Sequence, residues 1–322
     1  FDSVLSLHIK ILVTGSSGFI GYHLVKKLIE DDHEVIGVDN HNSFYDIQLK
    51  KLRRDKLISK KFKFYLQDIN DLSIKESNID LAINLAAQAG VRLVKNKLYE
   101  HSNIKGFESF CGFCKSKNIN KIIYASSSSV YSDSDTEIFK ENETKLSPKS
   151  FYGQSKLKNE IFASKFADET DISVVGLRFF SVYGPFGRPD MAYFLFSKKI
   201  INSEIINLFN NGLMKRDMTY VDDIVSGIMG SINFILSNKQ QKNEIFNLGN
   251  NNPIWTKDLL LMLENKLNMK ANKCFAQSYN ESKSTHADIS KAQKVLNYNP
   301  RMNIDKGLDK FISWFNDYST NE

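Results

Sequence analysis

No stretch of the 322 residues stays apolar for anything near the roughly 18 positions that a membrane-crossing helix needs. The leading segment FDSVLSLHIKILVTG carries an acid at its second position and no basic lead-in before its apolar part, unlike a secretory leader. The expectation is a cytoplasmic protein with no membrane partner. Cysteine is scarce, and three of them cannot build a disulfide framework. Cys111 and Cys114 have C-x-x-C spacing, yet they lie in GFESFCGFCKS, where apolar residues recur at helical intervals, so they read as small buried hydrophobes. No metal is called for. Proline is also rare, five in all, while 42% of the residues are hydrophobic, enough to fill a large core.

Charge of one sign is only mildly in excess, +6 overall with a pI near 8.9. The densest basic run, LKKLRRDKLISKKFKF at 49–64, lacks the interleaved aromatics of a nucleic-acid surface and reads as a solvated basic helix, with no nucleic-acid partner expected. A positive balance also suits a phosphate-bearing small molecule.

From His8 onward, short β-rich apolar runs alternate with amphipathic helical stretches and no internal repeat is evident. The strand candidates are IKILVT, EVIGVD, FKFYL, DLAINLA, KIIYASS, ISVVGLRFF and EIFNLG. This alternation predicts an α/β protein with a doubly wound parallel sheet. The rhythm breaks after about Ser181 and returns near 244–249. The expected division is a Rossmann-type domain over 8–180 with a return segment at about 222–250, and a smaller C-terminal lobe over 181–221 and 251–318 that binds substrate.

The first turn carries chemistry. ILVTGSSGFIGYHLVKKLIE sets Gly15, Gly18 and Gly21 behind a strand and at the head of a helix, where backbone N–H groups can meet a pyrophosphate. Asp39 closes the second strand at the distance where a carboxylate accepts from the adenosine ribose, and its charge would repel a 2′-phosphate, favouring NAD over NADP. Asp68 and the small residues Ala86 and Ala87 follow the third and fourth strands, at the sheet edge where ligands bind.

The fifth strand ends in four serines, Ser126 to Ser129, within ASSSSVYS. Farther on, YGQSK places Tyr152 and Lys156 four apart on one face of a predicted helix. Lys156 and a positive nicotinamide ring would lower the tyrosine pKa and make a phenolate base accessible. With Ser127 at a strand end and a dinucleotide turn upstream, this is a set for moving a proton and a hydride.

The chain resembles the extended short-chain dehydrogenase/reductase family of NAD-dependent sugar-nucleotide epimerases and dehydratases. The resemblance runs nearly end to end through GSSGFIG, LAAQAGVR, YASSSSVY, the tyrosine–lysine pair, LRFFSVYGP, GRPDMA, RDMTYVDDI and NLGN. Within the family, LAAQAGVR, SSSSVY and GRPDMA are most similar to the UDP-glucuronate 4-epimerases. Related 4,6-dehydratases carry an Asp–Glu pair in the serine window and related decarboxylases a glutamate before the valine. Ser128 and Ser129 stand there instead, and no cysteine of the 3,5-epimerase kind falls in the window.

The resemblance implies a non-covalently held NAD, a UDP-sugar substrate and a homodimer built on two helices from each subunit. Ser127, Tyr152 and Lys156 become the expected catalytic residues. The expected cofactor contacts are Gly15, Gly18, Phe19, Ile20, Asp39, Asn40, Asp68, Ile69, Leu85, Ala86, Ala87, Gln88, Asn103, Ser126, Tyr152 and Lys156. Ser127, Ser128 and Ser181 are expected to fix a sugar carboxylate, Ser181 standing where threonine is usual. Arg188 and Arg216 are candidate anion contacts, Arg216 at a position that holds the UDP pyrophosphate. Glu281 falls where the family has an acid for the uridine ribose, in a stretch that otherwise departs from the usual Q-P-G-D type. The small Thr285 leaves room for a 2-acetamido group, so a 4-epimerase of UDP-N-acetylhexosamines or their uronates is the alternative.

Overall fold

Continuous burial along Lys10–Thr14 (β1), where Ile11, Leu12 and Val13 are wholly buried, means that both faces of the strand are covered. The computed structural model describes residues 8–90, 96–131, 138–237, 242–277 and 283–320. After β1 come α1 (Phe19–Glu30), β2 (Glu34–Asp39), α2 (Ile47–Asp55), β3 (Phe62–Leu66) and β4 (Leu81–Asn84). A composite helical stretch follows, α3 (Asn96–Tyr99), a π-turn (Glu100–Lys105) and α4 (Gly106–Ser116). Next are β5 (Lys121–Ser127), α5 (Phe151–Asp168) and β6 (Ser173–Phe179). The remaining elements are β7 (Ser181–Tyr183), α6 (Ala192–Ile201), β8 (Ile205–Phe209), β9 (Lys215–Tyr220), α7 (Val221–Ser237), β10 (Asn243–Leu248), β11 (Pro253–Trp255), α8 (Thr256–Leu267), β12 (Asn272–Ala276), α9 (Ser290–Leu296) and α10 (Ile304–Ser319).

The main sheet has seven strands in the order β10-β6-β5-β4-β1-β2-β3, all parallel, built from the seven runs picked out in the sequence. Alternate residues of these strands feed two separate cores. Leu12, Ile36, Ala82, Ile122 and Val174 join Phe107, Phe110, Cys111 and Cys114 of α4 on one face. Ile11, Val13, Val35, Ile83, Ile123 and Val175 join Leu24 and Val25 of α1 and Ile224 and Ile228 of α7 on the other. Helices on both faces make the sheet doubly wound, as expected. Both α4 thiols are pushed up by burial, in keeping with their role as packing groups.

At Phe180 the chain leaves the main sheet. The run ISVVGLRFF supplies β6 up to Phe179, and Ser181 then opens β7, which pairs in parallel with β9, while β9 runs antiparallel to β11. A two-stranded parallel pair, β8 and β12, completes the strands. The basic run 49–64 departs from expectation. It is not one helix but spans the end of α2, a connection and the start of β3, and Lys50 and Arg53 are buried rather than solvated. The physical reason is that Leu49, Lys50 and Arg53 share the inner face of α2, and oxygen acceptors await the two cations there.

His23 of α1 packs edge-on to Phe19, Tyr22 and Phe186, and its Nε2 donates to the Pro185 carbonyl at 2.9 Å. Burial pulls its pKa down to about 4, only partly offset by the Pro185 hydrogen bond. The unfolded chain therefore takes up a proton that the folded chain refuses, and stability is lost as pH falls from 6.5 toward 4, by up to about 3 kcal/mol. His23→Gln keeps an amide donor for Pro185 but does not titrate. Its unfolding free energy, measured by denaturant titration across this window, should fall less steeply than that of the unsubstituted protein, and parallel acid limbs would count against this origin.

Candidate functional site

The C-terminal ends of the main-sheet strands open into one cleft of about 780 Å³, which continues between the main sheet and the β7–β9–β11 sheet. At its cofactor end the turn after β1 is packed backbone on backbone. Gly15 has φ +73°, and a Cβ there would lie 2.7 Å from the Ala86 nitrogen. The Gly18 amide donates to the Gly15 carbonyl at 2.9 Å, which closes the turn into α1. Such a turn presents helix-start N–H groups to an anion. Gly15, Gly18, Phe19 and Ile20 line the cleft, as do Leu85, Ala86, Ala87 and Gln88.

Asp39 and Asn40 line it too. The buried Asp39 accepts from the Ser17 amide at 3.2 Å and the His41 amide at 2.9 Å, so each oxygen is oriented and still has a lone pair to offer a ribose hydroxyl. Ile69 faces the cleft, but Asp68 does not. Asp68 accepts from Asn70, Asn40 and His101; burial pushes its carboxyl up, and these bonds outweigh that and hold it at about 2. Asn103, on the π-turn, is likewise turned away: it takes the Gln88 amide at 2.7 Å, donates to the Gln88 carbonyl at 3.1 Å and reaches Ser155 at 2.9 Å. Through these bonds the two residues hold Asn40 and Gln88 of the cleft lining. The glycine turn, the oriented carboxylate and the small-residue wall fit an adenine dinucleotide.

At the reacting end Ser150 caps α5 by accepting from the Gly153 amide at 3.0 Å, which starts the helix one residue ahead of Tyr152. The Ser127 hydroxyl accepts from the Ser129 amide at 3.1 Å and lies on the cleft wall with the Tyr152 phenol, whose pKa it helps to lower. Lys156 lies 5.9 Å from the Tyr152 ring centre and donates to the Ala125 carbonyl at 2.8 Å. Burial pulls Lys156 down to about 8, against the opposing charge of Glu160.

The electrostatics differ from the sequence expectation. Burial pushes the Tyr152 phenol above its ordinary value; Arg188 and the Ser127 hydrogen bond pull it down, and Asp190 pushes it up. Arg188 is thus a second cation near Tyr152, besides Lys156. Arg188 itself is gripped by both oxygens of Asp190, at 3.0 and 2.5 Å.

Ser126, Ser128, Ser181 and Arg216 also line the cleft. Ser126 donates to Glu160, which forms a buried bidentate pair with Arg178, at 2.9 and 2.8 Å. Arg216 donates to the Lys215 carbonyl at 2.9 Å beside Met214, across from Ile254. Thr285 faces the cleft and accepts from the Asp217 amide at 3.2 Å. Glu281 lies outside the described residues. Sequence reasoning passed over Tyr45, Lys50 and Arg53, which lie around the cofactor end. The clue was there, since Leu49, Lys50 and Arg53 fall on one helical face. Gly15→Ala should weaken NAD binding and cost about 1–3 kcal/mol of stability, through a positive φ and a backbone clash together. Isothermal titration with NAD and a thermal melt read both effects, and wild-type values in both would contradict the turn's role.

Known proteins share this arrangement. The family model described as the NAD dependent epimerase/dehydratase family matches residues 11–249. Among curated proteins, the UDP-glucuronate 4-epimerase 4 of Arabidopsis thaliana is 39% identical over 96% of this chain and 76% of its own length. The Staphylococcus aureus protein CapI is 38% identical over 96% of this chain and 99% of its own. Among solved structures, the UDP-glucuronic acid 4-epimerase of Bacillus cereus, in complex with UDP-glucuronic acid and NAD, superposes with a TM-score of 0.89 at 32% identity, covering 96% of this chain and 100% of that one. With its glycine turn, oriented Asp39 and Ser127–Tyr152 pair in one cleft, the chain belongs to the NAD-dependent epimerase/dehydratase family.

Proposed function

We propose that this protein is a UDP-glucuronate 4-epimerase, interconverting UDP-glucuronate and UDP-galacturonate through a transient 4-keto sugar. The observation that carries the reading is the placement of Ser127, Tyr152 and Lys156 together at the end of β5, inside the cleft that also holds the glycine turn, with hydroxyls and no carboxylate at positions 128 and 129. The solved Bacillus cereus complex and the Arabidopsis thaliana relatives support it.

In this reading Tyr152 takes the proton of the sugar 4-hydroxyl, and Ser127, oriented by the Ser129 amide, donates a hydrogen bond to the same oxygen as it becomes a ketone. Bound NAD supplies a reversible hydride acceptor, and its positive ring adds to Arg188 in lowering the Tyr152 pKa. Lys156, with donors to spare beyond the one given to Ala125, holds the cofactor's ribose. Gly15, Gly18, Asp39 and the 85–88 wall hold the rest of it. Because the 4-keto sugar is a β-keto acid, Ser127, Ser128 and Ser181 restrain its carboxylate against loss as carbon dioxide. Arg188 adds charge at that end, and Arg216 meets the pyrophosphate. Residues 8–180 with 222–250 serve the cofactor, and 181–221 with 251–318 the substrate.

The enzyme works as a cytoplasmic homodimer, supplying uronate units for polysaccharide biosynthesis. Ile161 of α5 is 64% exposed, an apolar residue available to a second subunit. Size-exclusion chromatography with light scattering should give about twice the chain mass.

Proton NMR of the anomeric signals, after separate incubation with UDP-glucuronate and UDP-N-acetylglucosamine, tests the substrate. Conversion of the uronate is the expected result; conversion of the acetamido sugar alone would replace this reading with the alternative. Tyr152→Phe should lower kcat by about 10²–10⁴-fold while NAD remains bound. A near-normal rate in that variant would remove Tyr152 from the chemistry.

A further inference from the structure

Arg53 is fully buried, and among the described residues none of its hydrogen-bond partners is a carboxylate. Its fork of five N–H groups is used up. Nε and one terminal nitrogen donate to the Phe186 carbonyl at 3.0 and 2.7 Å, and the latter also reaches Gly187 at 2.9 Å. The other terminal nitrogen donates to the Ser17 carbonyl at 3.2 Å and the Tyr45 hydroxyl at 2.5 Å. One side of the guanidinium thus holds the glycine-rich turn, in which Ser17 sits between Gly15 and Gly18. The other side holds the 184–188 loop, which ends in Arg188 beside Tyr152.

That loop is not free to settle alone. Phe186 has φ +56°, a left-handed conformation unusual for a bulky residue, and its ring is pressed between Tyr22 at 4.9 Å and Trp314 at 5.0 Å. Arg53 is not among the residues that line the cleft. A buried cation answered only by neutral oxygens is costly unless an anion lies near. The turn it grips is one built to receive a diphosphate.

We propose that Arg53 is a positioning residue that joins the dinucleotide turn to the 184–188 loop, so that one guanidinium sets both the cofactor's diphosphate site and the placement of Arg188. Its charge is answered by the dinucleotide's diphosphate, and its fork transmits that placement to the substrate side. This rests on the family's NAD and not on which sugar is turned over.

Hydrogen exchange by mass spectrometry on the NAD-loaded protein, together with NAD titration, separates the two roles. Arg53→Lys keeps the charge and loses the fork. It should hold NAD within about threefold of wild type, while 184–190 exchanges about tenfold faster or more and α8 and β12 are unchanged. Arg53→Met loses both, and its NAD affinity should fall about tenfold or more. Exchange at 184–190 within about twofold of wild type in folded, loaded Arg53→Lys would overturn the proposal. So would an equal rise along the whole chain, which marks a plain loss of stability. Unchanged NAD affinity in Arg53→Met would overturn the charge role. If Arg53→Met does not fold, the loop exchange of Arg53→Lys decides alone. All these readouts stand whether or not UDP-glucuronate is converted.

Discussion

The backbone of α5 lies directly on the chain that leaves β5, and the geometry of the site depends on that contact. A Cβ at Gly153 would sit 2.2 Å from the Ser129 carbonyl oxygen, so no side chain fits between helix and serine turn. With the helix this close, three successive turns of its inner face meet the end of one strand. Tyr152 meets the Ser127 hydroxyl, Lys156 the Ala125 carbonyl and Glu160 the Ser126 hydroxyl. The i, i+4, i+8 spacing thereby becomes a set of fixed distances, the pre-organisation that proton transfer between side chains requires.

Charge is then distributed around that contact with little slack. Glu160 and Arg178 form a buried bidentate pair extended by Tyr131, which donates to Asn247, so the inner side of α5 is anchored by a satisfied polar network. Toward the cleft the serine turn offers hydroxyls alone. A carboxylic acid at 128 or 129 would supply a proton for elimination, and its absence narrows the chemistry to moving hydrogen at one carbon. Arg188, gripped by Asp190, also lines the cleft and acts as a cation on Tyr152.

Much of this was legible because it is periodic. The seven runs that became the main sheet are short bounded runs rich in β-branched or aromatic residues, and the glycine turn is flagged by spacing within one short segment. The serine window was legible too, since it ends a strand and its partner lies on the next helix. What escaped lies in contacts between distant segments. The strands of the second lobe were missed because pieces as short as Ser181–Tyr183 and Pro253–Trp255 carry no period of their own. Arg53 looked like one more solvated cation: the helical face it shares with Leu49 hints at burial, but not that Phe186 and Gly187, 133 and 134 positions away, supply acceptors. Nor does anything local show that Asp68 and Asn103 hydrogen-bond Asn40 and Gln88 of the cleft lining. The upward push on the Tyr152 phenol was not legible either, since it comes chiefly from burial, which only the folded chain creates.

In the proposed reaction C4 gives up its hydrogen and receives the same one back on the other face, while Tyr152 handles only the hydroxyl proton. UDP-glucuronate carrying deuterium at C4, incubated in ordinary water and followed by mass spectrometry and NMR as the galacto epimer forms, tests this directly. Retention of the label at C4 in the product is the predicted result. Epimer that has lost its deuterium to solvent would mean inversion by proton abstraction at carbon and would contradict the account.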